Sequence, residues 1–114
     1  KDKDELPWYV YGKNISKNEI YVCQGVDNQL LYTENITLDK IHWINDLKEF
    51  KHLDCLVQIR HRHKPVKCII EFNKGFRVMF DEEIRGVAPG QSAVFYKDNL
   101  CLGGGVIEAR NNDL

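Results

Sequence analysis

Short runs of alternating apolar and polar residues, separated by turn-forming residues, follow one another along most of this chain. This spacing is typical of the strands of a small β-barrel or β-sandwich. Apolar residues do not recur at helical period for long enough to predict a major helix. The predicted strands cover residues 8–12, 19–24, 30–33, 41–44, 56–62, 66–72, 76–80, 92–96 and 106–108, with Leu100. The charged stretch 45–52 is predicted to be a loop or a single helical turn.

The connections between these strands contain residues that favour turns. Gly75 follows Asn73 and Lys74 at one turn, and Pro89-Gly90 forms another. Lys97-Asp98-Asn99 is predicted to be a short hairpin loop. Closing such strands into a barrel removes exposed edges, so we predict an all-β fold, a small Greek-key-like β-barrel.

The composition of the 114-residue chain is that of one folded domain, or one domain with the edge of another. Its apolar fraction of 43% excludes disorder over most of the length. No apolar run approaches the roughly 18 residues of a membrane-spanning helix, so no membrane association is predicted. The net charge of −1 argues against a generally basic nucleic-acid-binding protein.

One local stretch departs from that charge balance. Residues 58–68 contain Arg60, Arg62, Lys64 and Lys67 and no acidic residue, which gives a local charge of +4. The rest of the chain then sums to −5, because −1 minus +4 is −5. Such a patch is able to bind a polyanion locally, although a solvated surface is the competing interpretation.

The basic stretch has a geometry that suits RNA if it is a strand. Arg60 and Arg62 then lie on one face, about 7 Å apart, which matches the spacing of successive phosphates. His61 and His63 lie on the opposite face, where they either stack on bases or cap the end of the barrel. A zinc site is disfavoured because no third ligand lies at a suitable spacing.

Three other features resemble catalytic motifs. The carboxylates of residues 81–83 suggest acid–base chemistry, but their position before a turn favours a solvated turn. The glycines at 103–105 lack the Lys-Ser/Thr of a phosphate-binding loop, so we predict a close crossing of strands. Cys101 has no activating base near it in the sequence, which favours a structural thiol.

The four cysteines leave two interpretations open. They are Cys23, Cys55, Cys68 and Cys101. An even number, together with Asn-X-Ser/Thr triplets at 14–16 and 35–37, suits a secreted module stapled by disulfides. The apolar, strand-like surroundings of each cysteine favour reduced thiols that pack in the interior.

Several segments resemble one enzyme family. The segments are FDE (80–82), RGVAPGQSAVFY (85–96) and CLGGGVI (101–107), preceded in order by PWYV (7–10), VCQG (22–25), HW (42–43) and RHR (60–62). Together they closely resemble the C-terminal part of the bacterial tRNA-specific 2-thiouridylases, over nearly the whole chain.

The resemblance implies that the chain is a C-terminal fragment of such an enzyme. Residues 1–33 would be the tail of a central domain, and residues 34–114 the C-terminal β-barrel. The full-length enzyme uses ATP, with Mg, to adenylate the wobble uridine of tRNA, and it transfers persulfide sulfur to form 2-thiouridine. The ATP-binding loop and both catalytic cysteines belong upstream, so the fragment is expected to hold no cofactor and to be inactive alone.

The resemblance also implies partners and contact residues. The partners are the anticodon arm of tRNA and a persulfide sulfur-donor protein, in the cytoplasm, with the fragment monomeric. The family's tRNA contacts fall on Arg60, His61 and Gln91, although the family usually has tyrosine at the position of His61. Arg62 and Lys64 are added for their charge and expected exposure. The alternative is a structural or protein-docking barrel for a sulfur-relay partner, with little direct RNA contact.

Overall fold

The computed structural model describes residues 6–44, 52–59 and 64–110, and these residues are mostly in β-strands. A short 3₁₀ helix, Gln29–Leu31, is the one helical segment among them. The strands are β1 (Trp8–Asn14), β2 (Glu19–Gln24), β3 (Tyr32–Leu38), β4 (His42–Trp43), β5 (His52–Gln58), β6 (Val66–Phe72), β7 (Phe76–Arg85), β8 (Ser92–Lys97), β9 (Leu100–Val106) and β10 (Ala109–Arg110).

The strands form two antiparallel sheets. β1 and β2 make a separate hairpin, and the other eight pair in the order β10-β3-β7-β6-β5-β8-β9-β4. Within this order β5, β6 and β7 are consecutive hairpin strands, and β8 returns to lie beside β5. That arrangement is a Greek key.

The two edges of the large sheet are joined by short connections. Residues 39–41 link β3 to β4, and residues 107–108 link β9 to β10. In each case the chain passes within two or three residues from the strands at one edge of the sheet to those at the opposite edge. The sheet must therefore curl to bring its two edges together. The prediction of an all-β, Greek-key-like barrel is confirmed.

The core lies inside the curled sheet. Alternate residues of each strand point inward, so Val57 of β5, Ile70 of β6, Val78 of β7 and Phe95 of β8 are fully buried. Fourteen buried residues form one cluster: Ile36, Leu38, Ile41, Cys55, Val57, Cys68, Ile70, Val78, Ile84, Val87, Ala93, Phe95, Leu102 and Ile107. The barrel therefore has a single hydrophobic interior.

Several predicted strands have other bounds in the structure. The predicted strand 106–108 is wrong beyond Val106, because β9 runs unbroken from Leu100 to Val106 and residues 107–108 link it to β10. β5 begins at His52, four residues before the predicted start, and Ile59 already lies in a bend. The predicted strand 30–33 is wrong at its start, because residues 29–31 form the 3₁₀ helix and β3 continues to Leu38. Register along both neighbours, rather than local polarity, sets these bounds.

The predicted turn at residues 81–83 is also wrong, since β7 continues to Arg85. Thr33 of β3 pairs with Ile84 and Asn35 pairs with Met79, so four residues of β7 (80–83) lie opposite Glu34 alone. This irregularity is a β-bulge with more than the usual single extra residue, of the special kind. The carboxylates of residues 81–83 are exposed, as predicted, but they lie on a bulged strand.

Arg85 of β7 contacts both the β1–β2 hairpin and the loop that follows it. The guanidinium of Arg85 lies 5.3 Å from the centre of the Tyr9 ring, and its Nε donates a hydrogen bond to the carbonyl of Val26 at 3.1 Å. The buried guanidinium of Arg110 donates to the carbonyls of Val87, Leu30 and Tyr32. The predicted domain boundary at residue 33 stays a prediction.

Candidate nucleic-acid interface

The strand that leads into the basic stretch ends between the starts of two other strands. Val57 of β5 pairs with Val66 of β6 on one side and with Phe95 of β8 on the other. Because both pairings are antiparallel, the end of β5 and the starts of β6 and β8 meet at one end of the sheet.

Of the five residues predicted to contact tRNA, two lie at this end. Lys64 is two residues before β6 and is exposed, and Gln91 immediately precedes β8 and is half-buried. Arg60, His61 and Arg62 lie outside the described residues, so their roles stay predictions. His63, the second histidine of the suggested zinc pair, also lies outside them.

The side chain of Gln91 stabilises the Pro89-Gly90 corner. Its Oε1 accepts a hydrogen bond from the backbone nitrogen of Ala88 at 2.8 Å, and its own backbone oxygen accepts from Ile107 at 2.8 Å. Gly90 has a φ of +92° at the tip of this turn, a conformation that favours glycine. One oxygen of Gln91 is therefore committed to the turn, and its amide Nε2 is the group that can donate to a ligand.

This local role of Gln91 was not predicted from the sequence. Gln91 was assigned to RNA contact alone, on the resemblance. The signal was present, because a polar side chain directly after Pro-Gly can accept from the backbone at the start of the turn. The two roles are compatible, since they use different atoms of the amide.

Lys64 lines a shallow cavity of about 360 Å³ together with residues of both charge signs. Arg85 adds a second cation to its wall, while Glu82 and Glu83 add two carboxylates. The carboxylates offset the attraction that Lys64 exerts on a phosphate on this side. This arrangement was not predicted from the sequence, because residues 81–83 were expected to form a turn.

The three consecutive glycines lie where strands approach closely. A Cβ atom at Gly103 would lie 2.1 Å from the carbonyl oxygen of His42, and one at Gly104 would lie 2.7 Å from that of Ala93. Both distances are too short for any side chain. The predicted close crossing is confirmed, and it explains the glycines without a phosphate ligand.

Thiols are the remaining reactive side chains among the described residues. Cys23, Cys55, Cys68 and Cys101 are free thiols, and the first three are buried. Within residues 6–44, 52–59 and 64–110, no three His, Cys, Asp or Glu side chains are grouped to hold a metal ion. Over the same ranges no helix has the length and apolar character needed to cross a membrane.

Comparison with known proteins identifies the barrel. Residues 33–107 match the family model described as the aminomethyltransferase beta-barrel domain. The match covers all of β4 to β9 and nearly all of β3.

The curated relatives, in contrast, are tRNA-specific 2-thiouridylases. Over 114 residues the chain is 39% identical to the tRNA-specific 2-thiouridylase MnmA of Idiomarina loihiensis, covering 98% of this chain and 31% of the relative. It is 41% identical over 112 residues to that of Buchnera aphidicola subsp. Schizaphis graminum, covering 96% and 30%. It is 39% identical over 109 residues to that of Pseudomonas aeruginosa, covering 95% and 29%.

The chain therefore spans about a third of the length of the curated relatives it matches. The resemblance to the tRNA-specific 2-thiouridylases that the sequence motifs indicated is confirmed by these similarities.

Proposed function

Because this chain belongs to the aminomethyltransferase beta-barrel domain family, we propose that it is the C-terminal, tRNA-contacting part of a tRNA-specific 2-thiouridylase. The observation that carries the proposal is the similarity to relatives of that name, which extends over 98% of the chain in one of them. The full-length protein uses ATP, with Mg, to adenylate the wobble uridine of tRNA and then transfers persulfide sulfur from a donor protein to form 2-thiouridine.

The proposal assigns binding to this chain and chemistry to the rest of the protein. A wobble base must leave the stacked anticodon before an enzyme can modify it. Contacts to the phosphate backbone fix the position of a nucleic acid without reading its sequence. The barrel holds the anticodon arm through such backbone contacts. The protein is cytoplasmic. The chain by itself makes no 2-thiouridine, because adenylation and sulfur transfer take place elsewhere in the full-length protein.

The proposed contact surface lies at the end of the sheet where β5 ends and β6 and β8 begin. Arg60 and Arg62 bind successive phosphates through charge-assisted hydrogen bonds, and His61 stacks on a base. Lys64 adds charge on the β6 side. The Nε2 group of Gln91 donates on the β8 side, where its orientation is supported by the hydrogen bond from Ala88 to Oε1.

Salt-dependent binding of an anticodon stem-loop tests this proposal. Fluorescence anisotropy is measured with the full-length protein that carries this chain and with the 114-residue chain alone. Arg60→Ala is expected to weaken binding by roughly 1–3 kcal/mol, as for a hydrogen bond to a charged group. The slope of log affinity against log salt is negative, and it is expected to become shallower by roughly 0.7–0.9 for each phosphate contact removed.

One variant serves as a control, and a second tests the carboxylates beside Lys64. Lys17→Ala removes an exposed cation that is not among the proposed contact residues, from the turn of the β1–β2 hairpin, and is expected to leave affinity unchanged. Glu82→Gln with Glu83→Gln keeps side-chain size but removes the carboxylates beside Lys64, and is expected to strengthen binding. If Arg60→Ala and Lys17→Ala behave alike, and affinity is insensitive to salt, the RNA-contact role is wrong and a protein-docking barrel is the better description.

A further inference from the structure

Two buried cysteines face each other across the β5–β6 hairpin. Cys55 and Cys68 are directly paired residues of the two antiparallel strands, and their Sγ atoms lie 3.7 Å apart. Directly paired residues of antiparallel strands have Cα atoms about 4.5–5.5 Å apart. That range falls within the roughly 4.4–6.8 Å that a disulfide spans, so the backbone needs little movement to allow a bond.

We propose that Cys55 and Cys68 form a site of reversible oxidative modification, at which a small hydroperoxide converts the two thiols into a disulfide between β5 and β6. The site is separate from the proposed RNA-contact residues, and the inference does not depend on the proposed function.

The two thiols differ in pKa and in exposure because their surroundings differ. The hydrogen bond with the Cys68 thiol lowers the pKa of Cys55, and the nearby charge of Lys97 lowers it further, although burial and Asp54 act in the opposite direction. The same hydrogen bond, together with burial, raises the pKa of Cys68. Cys55 is also the more accessible thiol, at 8% exposure against 2% for Cys68. Cys55 is therefore the attacking thiol and Cys68 the resolving thiol.

The reaction balances in two steps. The thiolate of Cys55 attacks one oxygen of hydrogen peroxide, the O–O bond breaks, and the leaving hydroxide takes up a proton to become water, which leaves a sulfenic acid on Cys55. The sulfur of Cys68 then attacks the sulfur of that sulfenic acid, the S–O bond breaks, and a second water leaves. Two thiols are oxidised to one disulfide and one peroxide is reduced to two waters.

The other two cysteines provide internal controls. Cys23 lies in β2, in the separate hairpin, and Cys101 lies in β9 opposite Tyr96. Among the described residues, neither has another sulfur within hydrogen-bonding range. They are expected to remain thiols under conditions in which Cys55 and Cys68 are linked.

The folded 114-residue chain is titrated with hydrogen peroxide, quenched by alkylation under denaturing conditions, and mapped by mass spectrometry of non-reduced peptides. We expect a peptide pair joined through Cys55 and Cys68, a loss of two of the four alkylated thiols, and full reversal by dithiothreitol. Because the bond closes a short loop in the unfolded chain, the melting temperature is expected to rise by roughly 5–15 °C on oxidation.

Cysteine variants identify the partners. Cys101→Ser is expected to form the same disulfide as the wild type, whereas Cys55→Ser is expected to form no intramolecular disulfide. If Cys55→Ser does not fold, peptide mapping of the wild type still decides the matter. A disulfide that involves Cys23 or Cys101, an irreversible sulfinic acid on Cys55 with Cys68 still a thiol, or four intact thiols under peroxide that oxidises the urea-unfolded chain would each overturn the proposal.

Discussion

The β1–β2 and β5–β6 hairpins have similar sequences of alternating apolar residues but very different surroundings. In β5–β6 the apolar side chains face the barrel interior, where Val57 and Ile70 are fully buried. In β1–β2 the residues Val10, Val22 and Ile20 share one face and are 48–67% exposed. Apolar alternation therefore predicts a strand, while the elements that pack over a face decide whether it is buried.

The largest expected effect comes from the same substitution made in both hairpins. Ile70→Ala is expected to lower the free energy of unfolding by about 2–5 kcal/mol, because it leaves a cavity in a closed core. Ile20→Ala removes the same atoms from an exposed face and is expected to change it by less than about 0.5 kcal/mol. Urea unfolding measures both. Equal losses would mean that the outer face of β1–β2 is covered in solution.

The next largest effect concerns the close approach of β9 to β4, at one edge of the sheet that encloses the β5–β6 hairpin. Gly103 has a φ of +150°, and a Cβ there would overlap the backbone of β4. Gly103→Ala is expected to cost roughly 2–4 kcal/mol, from this overlap and from the backbone conformation. Gly90→Ala is the control, since Gly90 also has a positive φ but no atom within 4 Å of the added Cβ, and its expected cost is about 1–2 kcal/mol. Thermal unfolding of the two variants compares them, and equal costs would rule out the overlap.

The smallest effect concerns the attachment of the β1–β2 hairpin. Arg85→Ala removes the contact with the Tyr9 ring and the hydrogen bond to Val26, and is expected to cost about 1–2 kcal/mol. Hydrogen exchange is expected to accelerate in β1 and β2 and to stay unchanged in β5 and β6. Arg77→Ala, an exposed residue of the same strand, is the control. Faster exchange throughout the barrel would show that the hairpin is part of the same cooperative unit.

Much of the fold could be predicted from the sequence, because most strands carry clear alternation and turn signals. The bounds of β2 and β6 agree with the prediction residue for residue. The predicted start of β5 is four residues too late, because the first residues of the strand include the polar His52 and Asp54, which face outward. The predicted end of β3, at Thr33, is too early because Glu34 and Asn35 lie at the bulge, where the alternation of apolar and polar residues is interrupted. Bulges and edge polarity depend on the neighbouring strand, which local sequence does not specify.

Less of the candidate site could be predicted. The resemblance supplied Gln91, but the hydrogen bond from Ala88 to its side chain depends on the exact turn. The carboxylates beside Lys64 and the pairing of Cys55 with Cys68 depend on strand register, which the sequence alone did not provide. Arg60 and His61 remain predictions from the family motif, and Arg62 remains a prediction from its charge.

The bulge in β7 has a mechanical consequence. Up to Met79 the strand is paired with β6 and β3 at once, whereas beyond residue 83 it pairs with β3 alone and reaches the β1–β2 hairpin through Arg85. The four residues between these two parts bend the strand and lack the regular pairing with β3 that holds the rest of it. A tilt of the hairpin would therefore be absorbed at residues 80–83. It would reshape the cavity beside Lys64 and leave the far wall of the barrel, where Phe76 packs edge-on against Trp43, in place.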